Sequence, residues 1–189
     1  SAKEVAVGMA KIRAVPGRMN VLRGVNGSTL IDDSYNSSPM AVAAALRALY
    51  AVDSPQRIVI LGSMNEFGDL SPKAHETVGK LCDPNYLDWV VTIGAEAEQY
   101  LAPAAKAKGC QVKSFLNPYD AGGFVHSVLK HGSVVLIKGS QNGVFAEEAT
   151  KVLLHDADDE EQLVRQSTAW MEKKDRQFAK KVDDTREET

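Results

Sequence analysis

The chain has 189 residues, of which 44% are hydrophobic and 25% charged, so it can form one sizeable globular domain with an appendage. Its formal net charge of −3 argues against a nucleic-acid partner, because backbone phosphates require a basic face. No apolar run in the sequence is long enough for insertion into a membrane. The two cysteines, Cys82 and Cys110, lack metal-ligand spacing and predict reduced thiols in a cytoplasmic protein.

Strand-like and helix-like segments alternate along most of the chain. The strand-like segments are, in order, MNVLRG, STLIDD, RIVILG, DWVVTIG, QVKSF and SVVLIKG. Helix-period segments run from Pro39 to Tyr50, Pro72 to Leu81, Glu96 to Lys108, Pro118 to Lys130 and Phe145 to Leu154. This alternation predicts an α/β, Rossmann-like fold with a mostly parallel sheet of about six strands and flanking helices. The Asn26-Gly27 pair predicts a hairpin turn, and therefore an antiparallel edge strand.

The composition divides the chain into three predicted parts. Residues 1–15 resemble the end of a preceding domain or a hinge, 16–154 form the α/β domain, and 155–189 form a charged tail that is helical or partly disordered. Because apolar residues are sparse in the tail, we expect a solvated extension. The alternative is a helix that docks onto another subunit or partner through Trp170, Met171 and Phe178.

Polar residues are concentrated where the predicted strands end. In an open parallel sheet the ligand crevice lies outside the carboxyl ends of the strands, and those ends here read DDSYNSSP, GSMNEFGDLSP, GAEAE, FLNPYD and KGSQNG. The apolar run before Lys138 predicts that its ammonium lies over this crevice. A phospho-receiver domain is excluded because the third parallel strand ends without an aspartate. The P-loop and the dinucleotide-binding glycine motif are also missing from the sequence.

Four segments resemble, in order and spacing, the carboxy-terminal domain of the Mur ligases: VPGRMNVL, LIDDSYNSSPMAVAAALRAL, RIVILGSMNEFGDLSPKAHETVG and VVLIKGSQNGVFAEEATKVL. The resemblance runs from about Lys3 to Leu154. It is greatest to the members that add D-alanyl-D-alanine to a UDP-N-acetylmuramoyl tripeptide. These ligases have three domains, and the P-loop and the magnesium belong to the central one. The resemblance therefore implies that the sequence is one domain of a longer enzyme.

The resemblance also implies an ATP site. Asp33 would accept hydrogen bonds from the ribose hydroxyls, since an ionised carboxylate offers only acceptor oxygens. Tyr35 and Asn36 would lie against the adenine, where a ring can stack and an amide can bind a base edge. Arg18, near the hinge, would reach the nucleotide when the domains close. These four residues form the predicted nucleotide-binding set.

The segment KGSQ resembles the family stretch that binds the incoming amino substrate. Lys138, Gly139 and Ser140 match that stretch, and a lysine, a hydroxyl and glycine amides suit the carboxylate of a dipeptide. Gln141 stands where the D-alanyl-D-alanine-adding members have arginine. The exchange removes a permanent cation and a bidentate partner, so the amino-substrate segment departs from the pattern of those members at this position.

Some motif residues also have purely structural interpretations. Asp32, one position before Asp33 on an alternating strand, points to the other face of the sheet and is expected to pair with a neighbouring amide or cation. Ser37 or Ser38 is expected to cap the following helix. His75 resembles a family histidine, yet a core position is as good an interpretation as a substrate contact. Glu66 is a further possible site residue, and no metal site is expected in this chain.

The implied reaction is ATP-driven amide formation in peptidoglycan precursor synthesis. The γ-phosphoryl group would pass to the peptide carboxylate, and the amine of D-alanyl-D-alanine would attack the acyl phosphate. Mg²⁺ would be held mainly by the central domain, so the chain alone is not expected to be catalytic. Two alternatives stay open: a folylpolyglutamate or cyanophycin-type ligase domain, and a free-standing nucleotide-binding or regulatory module. A P-loop upstream of Ser1 would separate the ligases from the module.

Overall fold

The computed structural model describes residues 15–141 and 143–178. Its strands are β1 Asn20–Arg23, β2 Thr29–Asp33, β3 Arg57–Gly62, β4 Trp89–Ile93, β5 Val112–Phe115 and β6 Val134–Lys138. They form one sheet in the spatial order β1-β2-β6-β3-β4-β5. Strand β1 pairs with β2 antiparallel, and the remaining neighbours are parallel. The predicted α/β fold, with a mostly parallel sheet and an antiparallel edge strand, is confirmed.

The hairpin between β1 and β2 has the predicted turn. Asn26 and Gly27 both have positive φ angles, 56° and 68°, and the amide of Ser28 donates to the carbonyl of Val25 at 3.1 Å. Positive φ at both central positions defines the type I′ turn, which matches the twist of the two strands it joins. The turn sets the pairing register, so that Arg23 lies opposite Thr29.

The helices lie close to their predicted positions. They are α1 Pro39–Ala51, α2 Ser71–Leu81, α3 Ala102–Ala107, α4 Pro118–Val128, α5 Glu147–Leu153 and α6 Thr168–Phe178. The helix predicted from Glu96 to Lys108 is divided, since a π-helical turn, Ala97–Leu101, precedes α3. Pro103 lies at the start of α3 and has no N–H to donate, which disfavours a continuous α-helical ladder there. In the part of the chain that the structure describes, no helix has both the length and the apolar character needed to cross a membrane.

Helix α1 starts where the polar loop after β2 ends. The Ser38 hydroxyl accepts a hydrogen bond from the amide of Ala41 at 3.3 Å, and Pro39 occupies the first helical turn. Ser38 rather than Ser37 is therefore the N-cap. The cap fixes the point at which the loop gives way to the helix, and thereby limits the loop to residues 34–37.

The sheet is buried on both faces, as its apolar strands predict. One face packs against α1, α2 and α3, with Ile31, Leu46, Val59, Val78 and Leu136 in a common core. The other packs against α4 and α5, and its core includes Leu30, Ile60, Val125, Ile137 and Leu153. Since Leu30 and Ile31 belong to opposite cores, successive side chains of β2 alternate between the faces. By this alternation Asp32 faces the α4–α5 layer, and Asp33 faces the α1–α2 layer.

The described part of the charged tail folds back onto the domain. Most of α6 is exposed, but Lys174 on its inner face is fully buried. The rings of Trp170 and Phe178 lie with their centroids 6.0 Å from the ring of Phe145. The expected solvated extension is therefore wrong for the inner face of α6, because two buried acids of α5 supply partners that apolar periodicity does not reveal. Residues 179–189 and the predicted hinge segment before Val15 lie outside the described residues.

Candidate functional site

The ends of β2 and β6 lie side by side, which brings two predicted site residues together. Asp33 is in register with Lys138, and the Lys138 ammonium lies 2.9 Å from Asp33 Oδ2. The ammonium also donates to the carbonyl of Asn36 at 2.5 Å. Lys138 is only 2% exposed, so its ammonium lies beneath the loop and not over the crevice as the sequence predicted. The buried carboxylate partner explains the difference, since it satisfies a charge that would otherwise need water.

Arg18 and Tyr35 form the exposed side of this group. The Arg18 guanidinium lies 4.3 Å from the centroid of the Tyr35 ring, within the range of a cation–π contact. The Tyr35 amide donates to the carbonyl of Gly17 at 3.1 Å, and Gly17 has a φ of 66°. A Cβ at Gly17 would lie 3.0 Å from the Tyr35 nitrogen, so glycine permits this approach of the two loops. Tyr35 remains 38% exposed, so part of its side chain is accessible to a ligand.

A cleft of about 730 Å³ opens beside this stacked pair. Its volume falls within the range of about 300–1,000 Å³ typical of small-molecule sites. The residues that line it come from the loop before β1, the loop after β2, the loop after β6 and the tail, and include Pro16, Arg18, Tyr35, Gln141, Val164 and Trp170. The cleft is therefore lined by two of the predicted nucleotide residues, Arg18 and Tyr35, and by the tail, whereas Asp33 and Asn36 are not among its lining residues.

Asp32 lies on the opposite face and is fully buried. Its Oδ1 accepts a hydrogen bond from the amide of Ser34 at 3.3 Å, in agreement with the predicted amide partner. Its Oδ2 and the hydroxyl of Ser34 have no hydrogen-bond partner among the residues described. Burial raises the pKa of Asp32 from 3.8 to about 6, and the nearby charge of Glu147 adds to the rise. Asp32 is thus a structural acid at the base of the loop.

Gly139 and Ser140 make contacts within the domain. A Cβ at Gly139 would lie 2.6 Å from the carbonyl oxygen of Ser34 and 2.8 Å from the Cβ of Ala146. The hydroxyl of Ser140, which is 1% exposed, accepts a hydrogen bond from the amide of Asn65 at 3.1 Å. These contacts join the loop after β6 to the loops after β2 and β3. The predicted amino-substrate segment is therefore the junction of three loops at the carboxyl edge of the sheet.

His75 and Glu66 lie in different environments. His75 is fully buried, its Nε2 accepts the amide hydrogen of Met64 at 2.8 Å, and its Nδ1 lies 2.8 Å from the carbonyl of Ser71. Both ring nitrogens are thus engaged with the backbone, as expected of a core histidine that fixes the loop after β3. Glu66 is exposed in that loop with a φ of 74°.

A charged cluster beyond the predicted set joins the tail to α5, and its Arg165 lines the cleft. Glu147 and Glu148 are fully buried at the start of α5, and both pair with Lys174 of the tail. Arg165 pairs with Glu147 at 2.7 Å and also bonds the loop after β2. The sequence offers one signal for this cluster, an adjacent acid pair in the apolar stretch GVFAEEATKVL. That pair is also what a solvent-exposed helix start would show, so the signal does not identify the partners.

A family model described as "Mur ligase, glutamate ligase domain" matches residues 17–141. The chain belongs to this family. The matched segment of this Mur ligase domain contains all six strands of the sheet and every residue of the predicted nucleotide-binding and amino-substrate sets. Arg165 and Lys174, which hold the tail, lie beyond it.

Several named ligases are similar to this Mur ligase domain. The UDP-N-acetylmuramoyl-tripeptide--D-alanyl-D-alanine ligase of Bacillus subtilis is 26% identical over 154 residues, which cover 80% of the chain and 34% of that protein. The ligase of the same name from Escherichia coli is 30% identical over 93 residues, which cover 49% and 20%. The chain thus spans about a third or less of the length of these relatives.

Solved structures show the same fold. The MurF ligase from Thermotoga maritima in complex with ADP has a TM-score of 0.64 and 27% identity, over 84% of the chain and 36% of that protein. The folylpolyglutamate synthase from Thermotoga maritima has a TM-score of 0.56 over 86% of the chain and 36% of that protein. At 17% identity, this second likeness concerns the fold alone.

Proposed function

We propose that the chain is the carboxy-terminal domain of an ATP-dependent peptide ligase of peptidoglycan precursor synthesis. The enzyme would add D-alanyl-D-alanine to a UDP-N-acetylmuramoyl tripeptide through an acyl phosphate. The names of the relatives from Bacillus subtilis and Escherichia coli support this substrate pair. Because the chain spans only part of those relatives, the phosphoryl transfer itself is assigned to the rest of the enzyme, and this domain places substrates.

The observation that carries the proposal is the cleft beside Arg18 and Tyr35. The partly exposed Tyr35 ring suits stacking with adenine. Asn36 follows it in the chain, and its Oδ1 accepts the amide hydrogen of Ser37 at 2.8 Å, which leaves the side-chain NH₂ to donate to a base edge. Asp33 Oδ2 binds the Lys138 ammonium and Oδ1 accepts the amide hydrogen of Met19 at 3.3 Å, and each carboxylate oxygen has a further lone pair with which to accept a ribose hydroxyl. The Arg18 guanidinium, held over the ring, supplies a permanent cation for ribose or phosphate oxygens. The likeness to a MurF ligase that holds ADP supports a nucleotide as the ligand.

The amino substrate is assigned to the segment of Lys138, Gly139 and Ser140. Direct contact between Lys138 and the dipeptide carboxylate would require its ammonium to leave Asp33, to which it is bound at 2.9 Å. A second role follows from the observed pairing: Lys138 holds Asp33 in place for the ribose. Gly139 and Ser140 then position the loop after β6, whose Gln141 already lines the cleft.

ATP and Mg²⁺ are the proposed cofactors, with the ion held mainly outside this chain. Within residues 15–141 and 143–178, no group of three or more His, Cys, Asp or Glu side chains is arranged to hold a metal ion. Magnesium would neutralise phosphate charge during phosphoryl transfer. The part of this domain is to bind the adenosine end of the nucleotide. The thiols of Cys82 and Cys110 are both free and buried, which is consistent with a cytoplasmic enzyme that has access to ATP.

Titration of the chain with ADP, followed by amide chemical shifts, tests the nucleotide site. We expect the shifts to change around Arg18, Tyr35 and Asp33, with a dissociation constant of about 1 mM or weaker, since the sequence contains no P-loop motif to bind the phosphates. Asp33→Asn should weaken binding about tenfold or more, the scale of a lost hydrogen bond to a charged group. Asp53→Asn, an exposed substitution beyond the end of α1, is the matched control and should leave binding unchanged.

Two results would contradict the proposal. Shift changes that avoid the cleft would place the ligand elsewhere. Tight, magnesium-dependent ATP binding by this chain would reveal a complete phosphate site, and it would favour a free-standing nucleotide-binding module over a ligase domain.

A further inference from the structure

Arg165 connects the tail to the loop after β2, although it lies outside the segment that the family model matches. Its Nη2 donates to the carbonyl of Ser34 at 3.0 Å, and its Nη1 to the carbonyl of Tyr35 at 3.3 Å. The same guanidinium binds Glu147 through both carboxylate oxygens, at 2.8 and 2.7 Å. The Arg165 side chain thus connects the start of α5 to two successive carbonyls of the loop after β2, residues 34–37, which we call the nucleotide loop.

The position of Arg165 is fixed by a buried cluster of charges. Glu147 and Glu148 provide two carboxylates, and Arg165 and Lys174 provide two cations, so the charges balance. The Arg165 side chain is 8% exposed, and the other three residues are fully buried. Each charge is therefore held by its partners and not by water, because an unpaired ion at such a site is strongly disfavoured.

The backbone of Arg165 also shows that its placement is determined by these contacts. Its φ of 56° is in the left-handed region, which is unfavourable for a side chain with a Cβ. The ammonium of Lys174 donates to the Arg165 carbonyl at 2.7 Å and holds the peptide in this conformation. Helix α6 thus fixes the Arg165 backbone, while Glu147 fixes its guanidinium.

We propose that Arg165 is a positioning residue for the nucleotide loop. By binding the carbonyls of Ser34 and Tyr35, it sets the direction in which the Tyr35 ring faces the cleft and Arg18. Arginine is needed because its planar fork reaches the two carbonyls and the carboxylate at once, which a lysine ammonium cannot reproduce. The inference rests on the proposed nucleotide function and assigns part of that function to the tail.

The substitution Arg165→Lys tests this inference in the full chain. Lysine keeps a positive charge beside Glu147, so the fold should survive, while the double contact with the loop is lost. We expect ADP to bind about fivefold to tenfold more weakly, and the amide shifts of residues 34–36 to change even without nucleotide. Arg176→Lys is the matched control: the same substitution in the same tail, at a side chain that is 73% exposed. It should change neither quantity.

The outcomes separate this inference from the proposed function. If the parent chain binds ADP at the cleft and Arg165→Lys binds it equally well, Arg165 has only a structural role and the inference is wrong. If the parent chain does not bind ADP at the cleft, the proposed nucleotide function is wrong and this inference fails with it. The amide shifts of residues 34–36 in Arg165→Lys then show only whether Arg165 orders the loop. Should Arg165→Lys unfold, Arg165→Gln with Glu147→Gln keeps the cluster neutral and permits the same measurement.

Discussion

Replacing Asp32 with asparagine isolates the cost of a buried carboxylate beneath the nucleotide loop. Asp32 is fully buried, and one of its oxygens has no partner among the described residues. The negative charge of Glu147 raises the pKa of Asp32 further, and Glu147 itself is paired with Arg165 and Lys174. An ionised Asp32 is therefore an unbalanced negative charge in the α4–α5 layer. Asparagine has the same shape and cannot ionise, so it removes that charge without leaving a cavity.

The sign and the size of the effect follow from the pKa. Burial raises the pKa of Asp32 from 3.8 to about 6 in the folded protein, so the folded state binds the proton more tightly than the unfolded chain does. The contribution of the protonated group to stability is complete below pH 3.8 and is lost as the pH rises to about 6. With about 1.4 kcal/mol for each pKa unit, the loss is about 3 kcal/mol.

The assay is urea denaturation of the parent and of Asp32→Asn at intervals between pH 4 and pH 8. The difference in unfolding free energy should rise in favour of the variant up to about pH 6 and then remain constant. Asp53→Asn, which removes an exposed carboxylate, controls for the change in net charge. A difference that stays constant across the whole range would refute the reasoning, because it would mean that Asp32 ionises in the folded protein as freely as in the unfolded chain.

Two further substitutions test contacts at the end of β6 and in the loop after it by the same denaturation assay. Lys138→Ala leaves the Asp33 carboxylate, whose side chain is 12% exposed, without its cation and should cost about 3–5 kcal/mol. Lys130→Ala, at a side chain that is 64% exposed and paired with Asp88, should change stability by less than about 1 kcal/mol, and equal losses would contradict the buried pairing. Gly139→Ala places a methyl group 2.6 Å from a carbonyl oxygen of the nucleotide loop and should cost about 1–3 kcal/mol. Gly123→Ala, in an open position of α4, should stabilise by about 0.5–1 kcal/mol, and a stable Gly139→Ala would show that the two loops are free to separate.

Most of the fold could be predicted because its signals lie within short segments of the sequence. Continuous apolar runs such as RIVILG arise when both faces of a strand are buried, and the Asn26-Gly27 pair supplies the positive φ angles that a hairpin turn requires. The helix containing Pro103 was the exception. The apolar spacing of this segment predicts a helix but not its hydrogen-bonding pattern. The π-helical turn before α3 is related to the backbone N–H that Pro103 lacks.

The sequence indicates which residues to consider for the candidate site, but it does not give their geometry. The alternation of β2 correctly separates Asp32 from Asp33, since strand periodicity fixes opposite faces. The partner of Lys138 could not be found this way, because its pairing with Asp33 joins residues 105 positions apart through the register of β2 and β6. Register between distant parallel strands depends on the whole sheet, and a single sequence shows only which side chains are available.

The boundary at Leu154, where the apolar pattern ends, is not where the stabilising contacts of the domain end. Without the tail, Glu147 and Glu148 would be carboxylates at the start of α5 with neither Arg165 nor Lys174 beside them. The same tail supplies Val164 and Trp170 to the cleft. The tail therefore contributes both to the charge pairing and to the cleft. The Arg165 guanidinium connects it to the loop of Ser34 and Tyr35. The sparse apolar stripe conceals this role because α6 is held to the domain through buried charges as well as its few aromatic contacts.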